Sequence, residues 1–127
     1  MNVEKAQKRI LVVDDEDHIR RILVRALMAE GYDVSDASNG ADAITKVIDS
    51  TFDILISDVR MPGMNGLEAV RAIKSKRPEV IAVITSGVAD EETAQAEAIA
   101  AGASAYFTKP YSLDELLTTL EEILLGE

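Results

Sequence analysis

The sequence predicts a doubly wound α/β fold in which five parallel strands alternate with five helices. Three observations predict it. Short apolar segments of strand length recur along the chain, each is followed by a segment with helical spacing of its apolar residues, and the strand segments are almost continuously apolar. Strands buried on both faces have this continuous pattern, and right-handed crossovers place helices on both sides of such a sheet.

The five strand segments are short, apolar and rich in residues that favour β-structure. They are residues 9–13, 32–37, 54–57, 80–85 and 105–108. Each has the usual length of a strand in a compact domain, and none is separated from the next by more than one helical segment. We therefore expect each strand to enter the sheet parallel to the others.

The first three helices each have one apolar face. After the first strand, apolar residues within 19–27 recur at helical spacing, and Gly31 is placed to end that helix. The second helix has its apolar face within residues 43–48, and the third, within residues 67–73, ends before Pro78. All three are amphipathic helices that can cover a sheet.

The last two helices differ in how strongly the sequence anchors them. Residues 90–101 consist mainly of alanine and acidic residues with Ile99 as the single large apolar residue, so the fourth helix can bury little apolar surface. The fifth begins at Ser112, and Glu115 completes a predicted capping box. We expect a loosely held fourth helix and a firmly anchored fifth.

Composition and charge restrict the classes of function. The 127 residues, 47% of them hydrophobic, fit one compact domain. A formal net charge of −10 argues against a direct contact with nucleic acid or an anionic membrane. The absence of cysteine excludes thiolate chemistry, and no apolar run resembles a secretory signal or a bilayer span. We expect a cytoplasmic location and cations or proteins as partners.

Polar residues stand at the ends of four predicted strands. Asp14 and Asp15 follow the first strand, Asp58 follows the third, Thr85 ends the fourth, and Lys109 follows the fifth. Ligands of doubly wound sheets bind at this carboxyl edge, where neighbouring strands lie about 4.8 Å apart. Carboxylates about 4 Å apart repel by roughly 4 kcal/mol at an effective dielectric near 20, so the cluster is costly unless a cation or Lys109 neutralises it. Oxygen ligands favour Mg²⁺ over zinc.

The order and spacing of these residues resemble the receiver domain of response regulators in two-component signalling. The resemblance is carried by Leu11-Val12-Val13-Asp14-Asp15, Ile56-Ser57-Asp58-Val59-Arg60-Met61-Pro62-Gly63-Met64-Asn65-Gly66, Ile84-Thr85 and Lys109-Pro110. Each piece alone is common, but their joint placement is specific and covers almost the whole chain. The resemblance implies one receiver domain over residues 1–127, a flavodoxin-like (βα)5 fold with strand order 2-1-3-4-5, and a cis peptide bond before Pro110.

The resemblance also implies a function as a phosphorylation switch rather than as an enzyme with a separate substrate. Asp58 is the implied nucleophile, which takes a phosphoryl group from the phosphohistidine of a histidine kinase or phosphotransfer protein in a Mg²⁺-dependent reaction. The implied direct Mg²⁺ ligands are Asp15, Asp58 and the backbone carbonyl of Arg60, with Asp14 acting through bound water. Lys109 is implied to pair with a phosphoryl oxygen, so that the domain assists its own phosphorylation and dephosphorylation.

Thr85 and Tyr106 are the implied switch residues. In the family, the hydroxyl at the position of Thr85 bonds the phosphoryl group and the aromatic residue at the position of Tyr106 moves inward behind it. This movement would change the surface formed by the fourth helix, the fifth strand and the fifth helix. That surface would then control a protein effector or a fused output domain, and it is a candidate dimer interface.

The residues also have plainer interpretations that the sequence leaves open. The acids can cap helices in an acidic protein, Lys109 can be a surface lysine, and Thr85 and Tyr106 can be ordinary strand residues. Two other functions compete: a phosphorylation-independent interaction module on the same fold, and a metal-dependent phosphatase of the Asp-x-Asp type that would use Asp15 and Asp17.

Overall fold

The structure is a computed structural model that describes residues 3–61, 63–87 and 91–126, without the side chains of residues 3, 4, 91, 92 and 94. Strands and helices alternate along these residues. In chain order they are α1 Val3–Ala6, β1 Arg9–Val13, α2 Asp17–Ala29, β2 Asp33–Ala37, α3 Gly40–Asp49, β3 Ile54–Asp58, α4 Gly66–Lys76, β4 Ile81–Gly87, α5 Glu91–Ala101, β5 Ala103–Lys109 and α6 Leu113–Leu125. The sequence did not predict α1, so the five predicted helices are α2 to α6.

The five strands form one parallel sheet in the order β2-β1-β3-β4-β5. The predicted fold class and strand order are therefore confirmed. The order reverses at β1 and β3, whose register places Val13 beside Ser57. In the next pair, Asp58 lies beside Thr85, so the ends of β1, β3 and β4 meet at one edge of the sheet.

Two apolar clusters fill the space on the two faces of the sheet, because successive residues of a strand point to opposite faces. One lies under α3, α4 and α5, and its buried strand residues are Leu11, Val13, Ala37, Leu55, Ala82 and Ile84. The other lies under α2 and α6, and its buried strand residues are Ile10, Val12, Ile54, Ile56 and Val83. The predicted coverage of both faces is confirmed.

The ends of several elements differ from the sequence prediction. β4 extends to Gly87, and β5 begins at Ala103 instead of residue 105, with a register irregularity between Ala82 and Val83. Small residues open β5, so its start depends on pairing with β4 rather than on apolar pattern. The predicted fourth helix is observed over Glu91–Ala101, and residue 90 lies outside the described residues.

The ends of the helices follow the predicted local chemistry with one correction. Gly31 ends α2 in the left-handed region with a φ of 103°, as predicted. Ser112 caps α6 by accepting a hydrogen bond from the Glu115 N–H at 3.2 Å. The reciprocal bond of a capping box, from the Ser112 N–H to the Glu115 side chain, is not found among the described residues. A complete capping box is found instead at the start of α4, between Asn65 and Glu68.

Helix α5 covers the sheet with small residues. Of its described side chains, the buried ones are Ala98 and Ala101, while Ile99 is 63% exposed. The expectation that this helix buries little apolar surface is confirmed. None of the helices in the described part of the chain combines the length and apolar character that a bilayer span requires.

A partly buried ion-pair network joins the N-terminal helix α1 to two distant helices. Lys5 Nζ lies 2.7 Å from Glu121 Oε1 on α6 and 3.0 Å from Glu30 Oε1 at the end of α2. It also lies 5.5 Å from the centroid of the Tyr32 ring. The hydrogen bond to Glu121, followed by that to Glu30, raises the pKa of Lys5 despite its burial. The ammonium stays charged and ties these three elements together.

Candidate functional site

Three carboxylates meet at the carboxyl edge of the sheet. Asp14 and Asp15 lie in the turn between β1 and α2, and Asp58 is the last residue of β3. One oxygen from each of the three lies within 4.8 Å of the others. Asp14 and Asp58 are only 5% and 7% exposed, whereas Asp15 is exposed. The acids that the sequence placed at one edge therefore form one cluster, which we call the acidic cluster.

Lys109, the last residue of β5, extends across the end of β4 into the acidic cluster. Its Nζ lies 3.2 Å from Asp58 Oδ2 and 3.3 Å from Asp14 Oδ2, and its side chain is 20% exposed. The peptide bond that follows it, Lys109–Pro110, is cis as expected. The plainer interpretation of Lys109 as a surface lysine does not describe this contact.

The two acids of the β1–α2 turn differ in what their oxygens already bind. Asp14 Oδ1 accepts a hydrogen bond from the Glu16 N–H at 2.9 Å, while Asp14 Oδ2 faces Lys109. This bond lies within the turn and does not cap α2, whose N-cap residue is Glu16, so Asp14 is not the solvated helix cap of the plainer interpretation. Among the described residues, none donates a hydrogen bond to the Asp15 carboxylate, which is open to solvent.

Burial and the neighbouring charges shift the pKa values of Asp58 and Lys109. Burial raises the pKa of Asp58, Lys109 opposes this shift, and Asp14 adds to it. Burial would lower the pKa of Lys109, but attraction to Asp58 and Asp14 outweighs it, so the Lys109 pKa is raised. The lysine is thus held as a cation beside a carboxylate that is costly to ionise without further positive charge.

Asp58→Asn is expected to raise the free energy of unfolding near neutral pH, without divalent cations, by an amount on the order of 1 kcal/mol. The raised pKa means that the unfolded chain loses the Asp58 proton first as pH rises, so stability falls through the interval between the unfolded and folded pKa. Below the unfolded pKa of about 3.9, the gain should disappear. Urea unfolding in a chelating buffer measures it.

The control for this variant is Glu79→Gln, which neutralises an exposed acid just before β4, at the opposite edge of the sheet. It should leave stability nearly unchanged, since exposed charges far from the cluster contribute little. A loss of metal-free stability in Asp58→Asn would contradict the view that ionised Asp58 is a cost to the fold.

Thr85 and Tyr106 occupy adjacent strands behind the acidic cluster. Thr85 is 3% exposed, and its backbone carbonyl accepts a hydrogen bond from the Val59 N–H at 3.0 Å. Tyr106 lies opposite Ile84, next to Thr85 in β4, and packs its half-buried ring against the core. Its hydroxyl is buried, and none of the described residues hydrogen-bonds to it. The two predicted switch residues are therefore one register position apart on adjacent strands.

The loop after β3 lies beside the acids. Arg60, Met61 and Asn65 line an open hollow together with Asp15. Gly66, the first residue of α4, packs directly on the backbone of Asp58, because a Cβ built at Gly66 would lie 1.9 Å from the Asp58 carbonyl oxygen. In the sequence this glycine stands out only as the last residue of the receiver-like motif, and its local pattern gives no sign of the close approach.

The structure adds Arg20 to the residues around the site. Its guanidinium donates to the Asp14 backbone carbonyl and to the side chains of Asp17 and Asp36. Asp17, which a phosphatase of the Asp-x-Asp type would need, is thus paired with Arg20 and lies outside the acidic cluster. Of these contacts, only the one with Asp17, three residues away on the same helix, can be predicted from the sequence.

A doubly wound sheet with three acids and a lysine at its carboxyl edge defines a receiver domain. The family model of the response regulator receiver domain matches residues 10–121, and the chain belongs to this family. Receiver domains of two-component response regulators are phosphoacceptor signalling switches.

Curated relatives are longer than this chain. It is 37% identical over 119 residues to the regulatory protein AtoC of Escherichia coli, a match that covers 94% of this chain and 26% of AtoC. It is 36% identical over 118 residues to the transcriptional regulatory protein ResD of Bacillus subtilis, covering 93% and 48%. The chain therefore spans between a quarter and a half of the length of these two relatives.

Solved structures share the fold over nearly the whole chain. A CheY-like receiver domain protein from Methanospirillum hungatei has a TM-score of 0.88 at 30% identity, with 94% of each chain covered. The response regulator TrrA from Thermotoga maritima, in complex with Mg²⁺ and BeF, has a TM-score of 0.82 at 33% identity, with 93% of this chain and all of that chain covered.

Proposed function

We propose that Asp58 is the phosphoacceptor of this receiver domain. The observation that carries the proposal is the surrounding of its buried carboxylate, with Lys109 at 3.2 Å and two further acids within 4.8 Å. A buried acid beside one cation and two further acids lowers the stability of the fold, and such groups cluster at functional sites. Asp58 also ends its strand at the edge where doubly wound sheets bind ligands.

The donor set fits Mg²⁺. It contains carboxylate oxygens with no sulfur or imidazole, which is the chemistry of a hard cation. We propose that Asp15, Asp58 and the backbone carbonyl of Arg60 hold the ion directly. Asp14 would act through water, since both of its oxygens already have partners. When bound, the ion would neutralise charge at the reacting phosphoryl group.

Asp58 and Lys109 would have separate roles in phosphoryl transfer. An oxygen of Asp58 forms a bond to phosphorus, while the bond from phosphorus to the donor nitrogen of a phosphohistidine breaks. A carboxylate needs no general base for this attack. The Lys109 ammonium is placed to stabilise negative charge on the phosphoryl oxygens, and such positioning of charge is the main protein contribution to phosphoryl transfer.

We propose that Thr85 and Tyr106 report the phosphorylated state. Thr85 lies beside Asp58 in the sheet. The buried hydroxyl of Tyr106 has no hydrogen-bond partner among the described residues, so none of their hydrogen bonds opposes a movement of that ring when Thr85 moves. The affected surface would be α5, β5 and α6. A shift from 1:99 to 99:1 needs about 5.5 kcal/mol of differential interaction, so a few hydrogen bonds shift the populations only in part.

The proposed partners follow from this chemistry. A cytoplasmic histidine kinase or phosphotransfer protein would supply the phosphoryl group, and a protein effector or a fused output domain would respond to the α5-β5-α6 surface, which is also a candidate dimer interface. The chain's acidity supports protein partners over a direct contact with nucleic acid. We take residues 1–127 as one receiver domain.

Intact-mass measurement with acetyl phosphate tests the proposal. The wild-type chain should gain the mass of one phosphoryl group when Mg²⁺ is present and none in a chelating buffer. Asp58→Asn should gain none, whereas the matched control Asp53→Asn, which changes an acid at the opposite end of β3, should behave as wild type. Continuous release of phosphate without a stable adduct would favour a phosphatase, and no modification at all would favour a phosphorylation-independent module.

A further inference from the structure

Arg20 is a nearly buried cation that contacts three separate segments of the chain. Its side chain is 12% exposed. Nη1 donates to the backbone carbonyl of Asp14 at 2.7 Å, Nη2 to Asp17 Oδ1 at 2.7 Å, and Nε to Asp36 Oδ2 at 2.8 Å. The guanidinium therefore joins the β1–α2 turn, the first turn of α2 and the strand β2.

The contact with the Asp14 carbonyl is the one that concerns the acidic cluster. This carbonyl belongs to the peptide group that links Asp14 to Asp15. A planar guanidinium donates in fixed directions, so an Arg20 held by Asp17 and Asp36 fixes the orientation of that peptide.

The same two contacts also limit the size of the cluster. Asp17 and Asp36 are paired with Arg20, and neither is part of the group of acids whose oxygens lie within 4.8 Å of one another. The cation site of the described chain is thus limited to three carboxylates. Fewer fixed oxygens suit Mg²⁺, which keeps several of its waters, better than Ca²⁺, which takes six to eight ligands.

We propose that Arg20 is a positioning residue for the cation site, which holds the peptide between Asp14 and Asp15 so that Asp15 faces Asp58. The inference rests on the proposed function, because it takes the acidic cluster as the Mg²⁺ site. Arg20 does not touch the ion or the phosphoryl group. Its effect passes through the backbone of Asp14.

Electrostatics and positioning predict opposite results when Arg20 is replaced. Loss of a positive charge near the acids, taken alone, makes the site more negative and strengthens Mg²⁺ binding. Loss of the bond to the Asp14 carbonyl lets the turn move and weakens binding. Residues that orient metal ligands typically contribute 10- to 100-fold in metal affinity. The sign of the change therefore decides between the two roles.

Isothermal titration of the unphosphorylated chain with Mg²⁺ measures this sign. Arg20→Met is expected to bind Mg²⁺ about tenfold more weakly than the wild type. The matched control is Arg21→Met, which removes the same charge from an exposed neighbouring position on α2 and should bind Mg²⁺ as tightly as the wild type or slightly more tightly. Binding by Arg20→Met that is equal to or tighter than wild type would overturn the proposal.

Arg20→Lys keeps the charge but cannot present the three fixed donors of the guanidinium. It should bind Mg²⁺ more weakly than wild type, and wild-type affinity in this variant would also overturn the proposal. Circular dichroism establishes that each variant is folded. Should Arg20→Met fail to fold, the comparison of Arg20→Lys with wild type decides.

Asp15→Asn separates a failure of this inference from a failure of the proposed function. A site at the acidic cluster requires that Asp15→Asn lose most of its Mg²⁺ affinity. If it does so while Arg20→Met keeps wild-type affinity, the positioning role is wrong and the Mg²⁺ site stands. If Asp15→Asn binds Mg²⁺ normally, the acidic cluster is not the Mg²⁺ site, and both the proposed site and the role of Arg20 are wrong.

Discussion

Replacing Lys109 by methionine is expected to slow phosphoryl uptake from acetyl phosphate by about 100-fold, the usual cost of removing one preorganised charge donor from a transition state. The ammonium lies 3.2 Å from Asp58 Oδ2, where charge on the phosphoryl oxygens must be neutralised. Methionine keeps much of the length of the side chain and removes the charge. The rate of adduct formation at saturating Mg²⁺, followed by intact mass, measures the effect.

The same variant should be less stable than wild type in the absence of divalent cations, since Asp14 and Asp58 lose the cation that lies between them. Added Mg²⁺ should recover part of that loss. Lys76→Met is the control, because it removes an exposed lysine at the end of α4 and should change neither measurement. A phosphorylation rate within a factor of about three of wild type would show that Lys109 does not assist phosphoryl transfer.

Asp58→Asn and Lys109→Met make a useful pair because they change metal-free stability in opposite directions. Neutralising Asp58 relieves burial of a carboxylate, whereas neutralising Lys109 leaves two buried acids unpaired. A simple loss of packing would lower stability in both variants. Opposite signs therefore identify charge, rather than shape, as the dominant property of the acidic cluster.

The sequence was sufficient to predict the edge where the acids meet because parallel strands all end at the same side of a sheet. Once the five strands are assigned, Asp58 and Lys109 must lie near that edge, and the side chains converge as expected. The residue-level roles came from the resemblance and not from the pattern. Nothing in the pattern alone separates Asp14, with both oxygens engaged, from the open Asp15.

What the sequence did not predict depends on contacts between distant segments. In the sequence, Arg20 is one of several polar residues on an amphipathic helix. Its contact with Asp36 can be predicted only when the packing of β2 beside α2 is known. The start of β5 at Ala103 depends on pairing with β4, since the residues there have little strand preference of their own. Lys5 joins Glu121, 116 residues away, which no local pattern can reveal.

Gly66 shows how such a distant contact reverses a local expectation. At the start of α4, replacement of glycine by alanine should raise helix propensity and stabilise the chain by up to about 1 kcal/mol. In the structure, however, a Cβ at this position would lie 1.9 Å from the carbonyl oxygen of Asp58 and 2.8 Å from its carbonyl carbon. The Gly66 N–H also donates to the Val59 carbonyl at 2.7 Å, so α4 cannot withdraw without breaking that bond.

Gly66→Ala is therefore expected to lower the free energy of unfolding by about 2–3 kcal/mol, as overpacking against backbone does, and to weaken Mg²⁺ binding because the Asp58 backbone must shift. Urea unfolding and calorimetric titration measure the two effects. Gly87→Ala is the matched control for stability, since a Cβ there would meet nothing within 4 Å. If Gly66→Ala is as stable as wild type, the contact between α4 and Asp58 does not constrain the site, and helix propensity governs this position instead.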